Sequence, residues 1–142
     1  MLLNFLNKYR DVGLLVGRIG LGIMFMFHGG GKLFAGPEMW TKVGSALGLF
    51  GITFAPTMWG MLASCSEFFG GLLLIIGFAY RPALIFMMSI MFVATTMHLN
   101  KGDGLQGASH AIEAGIMFLS MFIMGPGKYS IDERLAARKK RE

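Results

Sequence analysis

An apolar run from Trp59 to Tyr80 constrains this chain more than any other feature, because one carboxylate, Glu67, lies near its middle. The run reads WGMLASCSEFFGGLLLIIGFAY, and about 20 such residues are enough for a helix to cross a bilayer. An acidic side chain in hydrocarbon costs roughly 2.5–3.5 kcal/mol on insertion scales, so it usually faces a bundle interior and a partner. We therefore expect Glu67, and the groups that neutralise it, to lie at the centre of the protein's function.

The composition of the whole chain also indicates a membrane protein. Of its 142 residues, 54% are hydrophobic and 15% are charged, and the mean hydropathy is +0.59, whereas soluble domains carry about 25% charged residues. The pI of about 9.7 does not indicate nucleic-acid binding, because most of the positive charge lies in the terminal segments and not on one face. We therefore expect the lipid bilayer as a partner and exclude nucleic acid.

The predicted fold is an all-α membrane protein, a bundle of four transmembrane helices in one domain over residues 1–142. The spans cover about residues 12–34, 59–80, 82–98 and 110–124. The segment between the first two spans is too interrupted to cross the bilayer, and we expect it to be an interfacial or re-entrant lid over one end of the bundle. The first span carries glycines that leave flat patches for a neighbouring helix, at positions 13, 17 and 20.

The distribution of lysine and arginine predicts the orientation. With four spans both termini lie on one side, and that side carries most of the 13 lysines and arginines, many of them in a short amphipathic C-terminal tail. The opposite side carries only Lys32, Lys42 and Lys101. By the positive-inside rule, both termini are expected in the cytoplasm.

Ionisable residues from all four predicted spans fall in the outer half of the bundle. They are His28 and Lys32 in the first span, Glu67 in the second, His98 in the third, and His110 and Glu113 in the fourth. Arg18 lies deeper in the first span, about 6 Å below Glu67. Its side chain is long enough to reach the Glu67 carboxylate across this distance. Several of these residues also have a structural interpretation: Lys32 as a snorkelling cation, His98 and His110 as ordinary residues at loop ends, and Arg18 as only a structural counter-ion for Glu67.

Three histidines and two carboxylates in a region of lowered dielectric can titrate near neutral pH. Such a site suits a quinone, whose carbonyls need donors and whose ring needs an apolar slot. A b-type haem held by His28 and His98 or His110 is disfavoured, because no two spans carry histidines at mid-depth. We expect no metal site, since Cys65 is the only cysteine and has no partner for a CxxC pair, although thioethers beside histidines would suit copper.

Several short motifs occur in order along nearly the whole chain. They are Arg18 in the first span, HGGGKL from His28, Trp40, E-x-x-GG from Glu67, Gly77 with Arg81, then His98, Glu113, and GPGKYSID ending at Asp132. This pattern resembles the DoxX family of small four-helix proteins of the bacterial inner membrane. The family takes its name from a subunit of a thiosulfate:quinone oxidoreductase, although a shared fold does not carry a shared chemistry.

The resemblance implies a polar core shared with the family. We assign the catalytic positions to His28, Glu67 and Glu113, and the cofactor-binding positions to Arg18, Lys32, Arg81 and His98. The first hypothesis is the membrane component of a quinone-linked oxidoreductase, with other redox subunits as partners and a homo-oligomer left open. The alternative is a non-catalytic accessory subunit of a larger membrane complex. A solute carrier is disfavoured, because four spans without an inverted repeat offer little for alternating access.

Overall fold

The computed structural model describes residues 3–140, which contain four long helices and two short ones. The long helices are α1 (Arg10–Phe34), α3 (Pro56–Ile76), α4 (Tyr80–Asn100) and α5 (Gly104–Met124). Each is long and apolar enough to cross a membrane. The predicted all-α fold with four membrane-spanning helices is therefore confirmed, and the first two and last two residues of the predicted domain lie outside the described part.

The short elements lie at the two ends of the long helices. Helix α2 (Pro37–Gly44) and a 3-10 turn (Ser45–Phe50) connect α1 to α3, and α6 (Ile131–Lys139) forms the C-terminal tail. A further 3-10 turn (Asn4–Tyr9) precedes α1. We call the end that carries α2 the α2 end, and the end that carries α6 and the start of α1 the terminal end.

The helix boundaries differ from the predicted spans because residues with positive φ, not hydropathy, set them. Helix α3 ends where Gly77 adopts φ +67°, and α4 begins directly after Ala79 at φ +45°. The tight turn therefore precedes Arg81-Pro82, and Pro82 lies in the first turn of α4, where proline is tolerated. Helix α5 begins at Gly104, well before the predicted residue 110, so the polar loop before it is short.

The four long helices form a ring. Helix α1 packs on α3, α3 on α4, and α4 on α5. Helices α1 and α5 close the ring through side chains, with ring centroids 4.7 Å apart for Phe25 and Phe118 and 5.2 Å apart for His28 and His110. The buried core between them includes Leu74, Leu84 and Met87.

Glycines bring the backbones of α1 and α3 into direct contact. A Cβ at Gly22 would collide with the carbonyl of Gly71, and a Cβ at Gly29 with the backbone of Phe68. Small residues at such positions are what allow membrane helices to pack closely. Glycines 13, 17 and 20, which the sequence predicts to leave flat patches for a neighbouring helix, do not take part in this contact, because a Cβ at any of them would meet nothing within 4 Å.

Candidate functional site

A cavity of about 540 Å³ lies inside the ring, in the half nearer the α2 end. All four long helices contribute to its walls, which are mostly apolar and include Phe25, Leu62, Ala63, Ile90 and Met91. A cavity of this size is within the range of small-molecule sites, about 300–1,000 Å³. Its few polar groups therefore decide what it can bind.

The segment between α1 and α3 covers the cavity, as the sequence predicts. Val43 and Gly44 of α2, together with Ala46 and Leu47 of the following turn, line the cavity. The segment lies close on α3, because a Cβ at Gly44 would overlap the carbonyl of Pro56. This close packing holds the lid against the bundle.

Glu67 is paired with Lys32 at the inner part of the cavity. The Glu67 side chain is 2% exposed, and the Lys32 ammonium lies 2.7 Å from Oε1 and 2.6 Å from Oε2. The close approach at Gly29 places α1 against the backbone of Glu67, so that Lys32, one turn further along α1, can reach the carboxylate. The HGGGK motif thus supplies both the close packing and the counter-ion.

The expectation that Arg18 reaches Glu67 is wrong. Glu67 lies beside Gly29, which is roughly 16 Å further along α1 than Arg18. Arg18 is 1% exposed and donates to four backbone carbonyls, those of Leu74 at 2.9 Å, Ile75 at 2.8 Å, Pro126 at 2.8 Å and Tyr129 at 3.2 Å. It belongs to the terminal end of the bundle.

The GPGKYSID motif completes this arrangement around Arg18. Asp132 accepts hydrogen bonds from the backbone N–H groups of Ala79 at 3.0 Å and Tyr80 at 2.9 Å, and so satisfies donors at the start of α4. The N–H of Asp132 in turn donates to the carbonyl of Gly77 at 3.0 Å. We call Arg18, Asp132 and these backbone partners the arginine knot.

All three histidines of the chain line the cavity. His28 and His110 face each other across α1 and α5, with their ring planes inclined by 50°. His98 lies further towards the α2 end, and its Nδ1 is 2.8 Å from Oδ2 of Asp103. Asp103 was missed by the sequence reasoning, because its pairing depends on α4 and α5 being joined by a very short turn.

Trp59 contributes a donor without an acceptor. It lines the cavity about 12 Å from Glu67 along α3, and its Nε1 is buried with no hydrogen-bond partner in the described part of the chain. The other tryptophan, Trp40, instead donates to the carbonyls of Lys32 and Leu33 at 3.2 Å each. An unsatisfied buried donor costs about 1–3 kcal/mol, so the Trp59 indole suits an acceptor on a bound molecule.

Besides Arg18, two more of the predicted site residues lie outside the cavity. Arg81 is exposed at the start of α4, where its Nε donates to the carbonyl of Phe122 at 3.3 Å. Glu113 is exposed on α5 and does not line the cavity, although His110, one helical turn earlier, does. The cavity thus brings together Glu67, Lys32 and the histidines without these two residues or Arg18.

Comparison with known proteins extends this description. The sequence pattern of the DoxX family matches residues 13–99. The inner membrane protein YqjF of Escherichia coli (strain K12) is 33% identical over 135 residues, which cover 92% of this chain and 97% of the relative. The chain belongs to the DoxX family. No solved structure matches it.

The matched region of this DoxX protein contains Lys32, Glu67, Trp59 and His98, which are polar residues of the cavity. Glu113 and the arginine-knot residue Asp132 follow it in the chain. Chemically, the cavity offers an indole N–H, an ammonium group and imidazoles as donors within apolar walls, and imidazoles and a carboxylate as proton acceptors. In residues 3–140 no group of three or more His, Cys, Asp or Glu is placed to hold a metal ion.

Proposed function

We propose that this integral membrane protein binds a lipid-soluble molecule of the quinone class in the cavity and exchanges protons with it, as the membrane component of a quinone-linked oxidoreductase. The observation that carries the proposal is the set of polar groups in one apolar cavity. The set comprises the Glu67–Lys32 ion pair, three histidines and the unsatisfied Trp59 N–H. An apolar pocket with a few convergent polar groups is the usual form of a small-molecule site.

The residues present fit a quinone ring. The ring requires an apolar slot, which Phe25 and Met91 help to form, and hydrogen-bond donors for its carbonyl oxygens. Trp59 and Lys32 are donors at different depths of the cavity. A bound quinone would supply the redox chemistry, with electrons from a partner redox subunit, and the histidines would hold or release the protons.

The cavity also has a route from the bilayer. Leu62 of α3 and Phe86 of α4 both line it, and they are 46% and 63% exposed. The wall between α3 and α4 is therefore also a surface that faces lipid. A molecule dissolved in the hydrocarbon would enter there, which favours a lipid-soluble ligand over a water-soluble one.

The His98–Asp103 pair offers a route for protons. Both side chains are partly exposed, and His98 also lines the cavity. Asp103 is hydrogen-bonded to Nδ1 of the ring, so Nε2 is the ring nitrogen left to exchange a proton with other groups. We place this pair, and the α2 end, on the extracytoplasmic side of the inner membrane with both termini in the cytoplasm, because the terminal segments carry most of the lysines and arginines.

The test is equilibrium binding of a short-tailed quinone to the full chain in lipid nanodiscs. Glu67→Gln removes the charge that holds Lys32, and Trp59→Phe removes the free donor. We expect each substitution to weaken binding by about tenfold, since a hydrogen bond to a ligand is worth about 1.4 kcal/mol in such a comparison.

Matched controls separate binding from folding. Glu38→Gln changes an exposed carboxylate on α2, and Trp40→Phe changes the tryptophan whose donor already has acceptors; both should bind as the wild type does. Trp59→Phe breaks no hydrogen bond of the described structure, so its effect cannot come from lost internal bonding. Equal affinities for all five proteins, or no binding by any, would remove the quinone proposal.

A non-catalytic accessory subunit is the second candidate function. The observation that favours it is the complete pairing of Glu67 by Lys32, since such a pair can serve simply as a tie between α1 and α3. Native mass spectrometry of gently solubilised membranes discriminates the two. A stable complex together with an absence of quinone binding would favour the accessory role, and a lone protein that binds quinone would favour the first.

A further inference from the structure

Glu113 is a carboxylate at membrane depth on the outside of the bundle. It lies near the middle of α5 (Gly104–Met124), which is long and apolar enough to span a membrane. Its side chain is exposed, and it has no hydrogen bond or ion pair within residues 3–140. Acidic residues at this depth are costly when they face lipid, and they usually have a cationic partner.

The position of Glu113 around α5 shows which surface it belongs to. It follows His110 by one helical turn, so the two side chains share one flank of α5. The ring of His110 lies against that of His28 on α1. Glu113 therefore borders the outer groove between α1 and α5.

Towards the terminal end the α1 side of this groove is smooth, whereas Met24, which is 53% exposed and follows Gly17 on the same face, lies between the glycines and His28. Gly17 lies three helical turns before His28 and hence on the same face of α1, with Gly13 and Gly20 beside it. A Cβ added at any of these three glycines would meet nothing within 4 Å. We call the surface formed by Gly13, Gly17 and Gly20 with Glu113 the α1/α5 groove.

The geometry points to the α1/α5 groove as a docking site for a transmembrane helix of another protein that carries a lysine or arginine near its middle. The cation would neutralise Glu113 at the depth where water cannot. The open glycines would let the backbone of the incoming helix approach α1 closely, as small residues do in membrane helix pairs. This inference is independent of the quinone proposal, because Glu113 does not line the cavity.

Charge complementarity excludes a second copy of this chain as the occupant. The same groove of a second copy presents another Glu113, and like charges repel. Of the cations in its long helices, Arg18 is engaged by four carbonyls and Lys32 by Glu67. Arg10 and Arg81 lie at the start of their helices, at the terminal end and away from the middle of α5. A helix from a different protein, with its own cation, is the complementary partner.

The test uses the full chain in vesicles of phosphatidylethanolamine and phosphatidylglycerol, labelled with a fluorescent donor. The probe is a synthetic transmembrane peptide of leucine and alanine with one central arginine and an acceptor dye, and the control peptide carries glutamine at the same position. We expect energy transfer to show at least about tenfold tighter association of the arginine peptide, in line with the strength of polar contacts between membrane helices.

Variants of the protein test each part of the groove. Glu113→Gln should lower association of the arginine peptide to the level of the glutamine peptide, and Glu113→Lys should instead favour a peptide with a central glutamate. Gly17→Leu should weaken association by filling the smooth surface, whereas Glu38→Gln should change nothing. Unchanged thermal unfolding of Glu113→Gln shows that the fold is intact.

Two results would overturn the inference. One is equal association of the arginine and glutamine peptides with the wild type. The other is energy transfer between labelled copies of the chain that the arginine peptide fails to compete away, which would make a second copy the occupant.

Discussion

Arg18 and Glu67 are both almost completely buried in the bundle, yet their surroundings differ. At the terminal end, Arg18 donates to four backbone carbonyls, and Asp132 satisfies the start of α4, so the arginine knot is internally complete. In the other half of the bundle, Glu67 and Lys32 border a cavity of about 540 Å³ that also contains an unsatisfied indole N–H. A buried charge alone therefore does not identify a functional site, and the charge that lies beside space and an unused donor is the better candidate for one.

The largest effect should come from breaking the arginine knot. Arg18→Met leaves the four carbonyls without their donor, and we expect the free energy of unfolding in detergent to fall by about 3–5 kcal/mol, as when one partner of a buried charged network is removed. Arg81→Met is the matched control, because Arg81 is exposed and makes one long hydrogen bond; its cost should stay within about 0.5 kcal/mol. Equal losses in the two variants would show that Arg18 does not hold the terminal end together.

Substitutions on the two faces of α1 should differ in their cost to stability, by a smaller amount. Gly29→Ala places a methyl group against the backbone of Phe68, and overpacking of this kind costs about 1–3 kcal/mol. Gly17→Ala points into open space and should be neutral or slightly stabilising in the isolated protein, because alanine is the better helix former. Thermal unfolding of the two variants measures the difference, and a reversed order would contradict the packing described for α1 and α3.

A still smaller effect should follow from weakening the cap on α4. Asp132→Asn retains one acceptor oxygen where the carboxylate offers two, so we expect a loss of about 1 kcal/mol, as for other helix caps. Glu133→Gln changes the next residue, which is exposed, and should have little effect. If quinone binding stays unchanged in Asp132→Asn, the knot and the cavity are independent, and a parallel loss of binding would show that they are coupled.

The sequence predicts the fold well, because apolar length alone identifies four spans. The helix ends were misplaced, since they are set by backbone conformation at Gly77 and Ala79, which hydropathy does not report. The need of Glu67 for a partner was also predictable from the cost of a carboxylate in hydrocarbon. Which cation it takes was not, because the choice of Lys32 over Arg18 depends on how α1 and α3 are offset along each other.

The finer features of the site follow from tertiary contacts. Asp103 meets His98 only because the turn between α4 and α5 is short. The free donor of Trp59 can be recognised only when every acceptor around it is known. Glu113 was predicted inside the site because its offset from His110 puts both on one flank of α5, but that flank extends from the cavity to the outer groove.

The central claim is that the cavity holds a ligand that the Trp59 indole recognises, and the two tryptophans of the chain make a direct measurement. Their indole N–H groups give separate signals in a nitrogen–proton correlation spectrum. The signal that disappears in Trp59→Phe is that of Trp59. On titration with a short-tailed quinone, we expect the Trp59 signal to shift until it saturates. The Trp40 signal should stay in place, because the Trp40 indole N–H already donates to carbonyls. A Trp59 signal that does not move even at a large excess of quinone would contradict the claim.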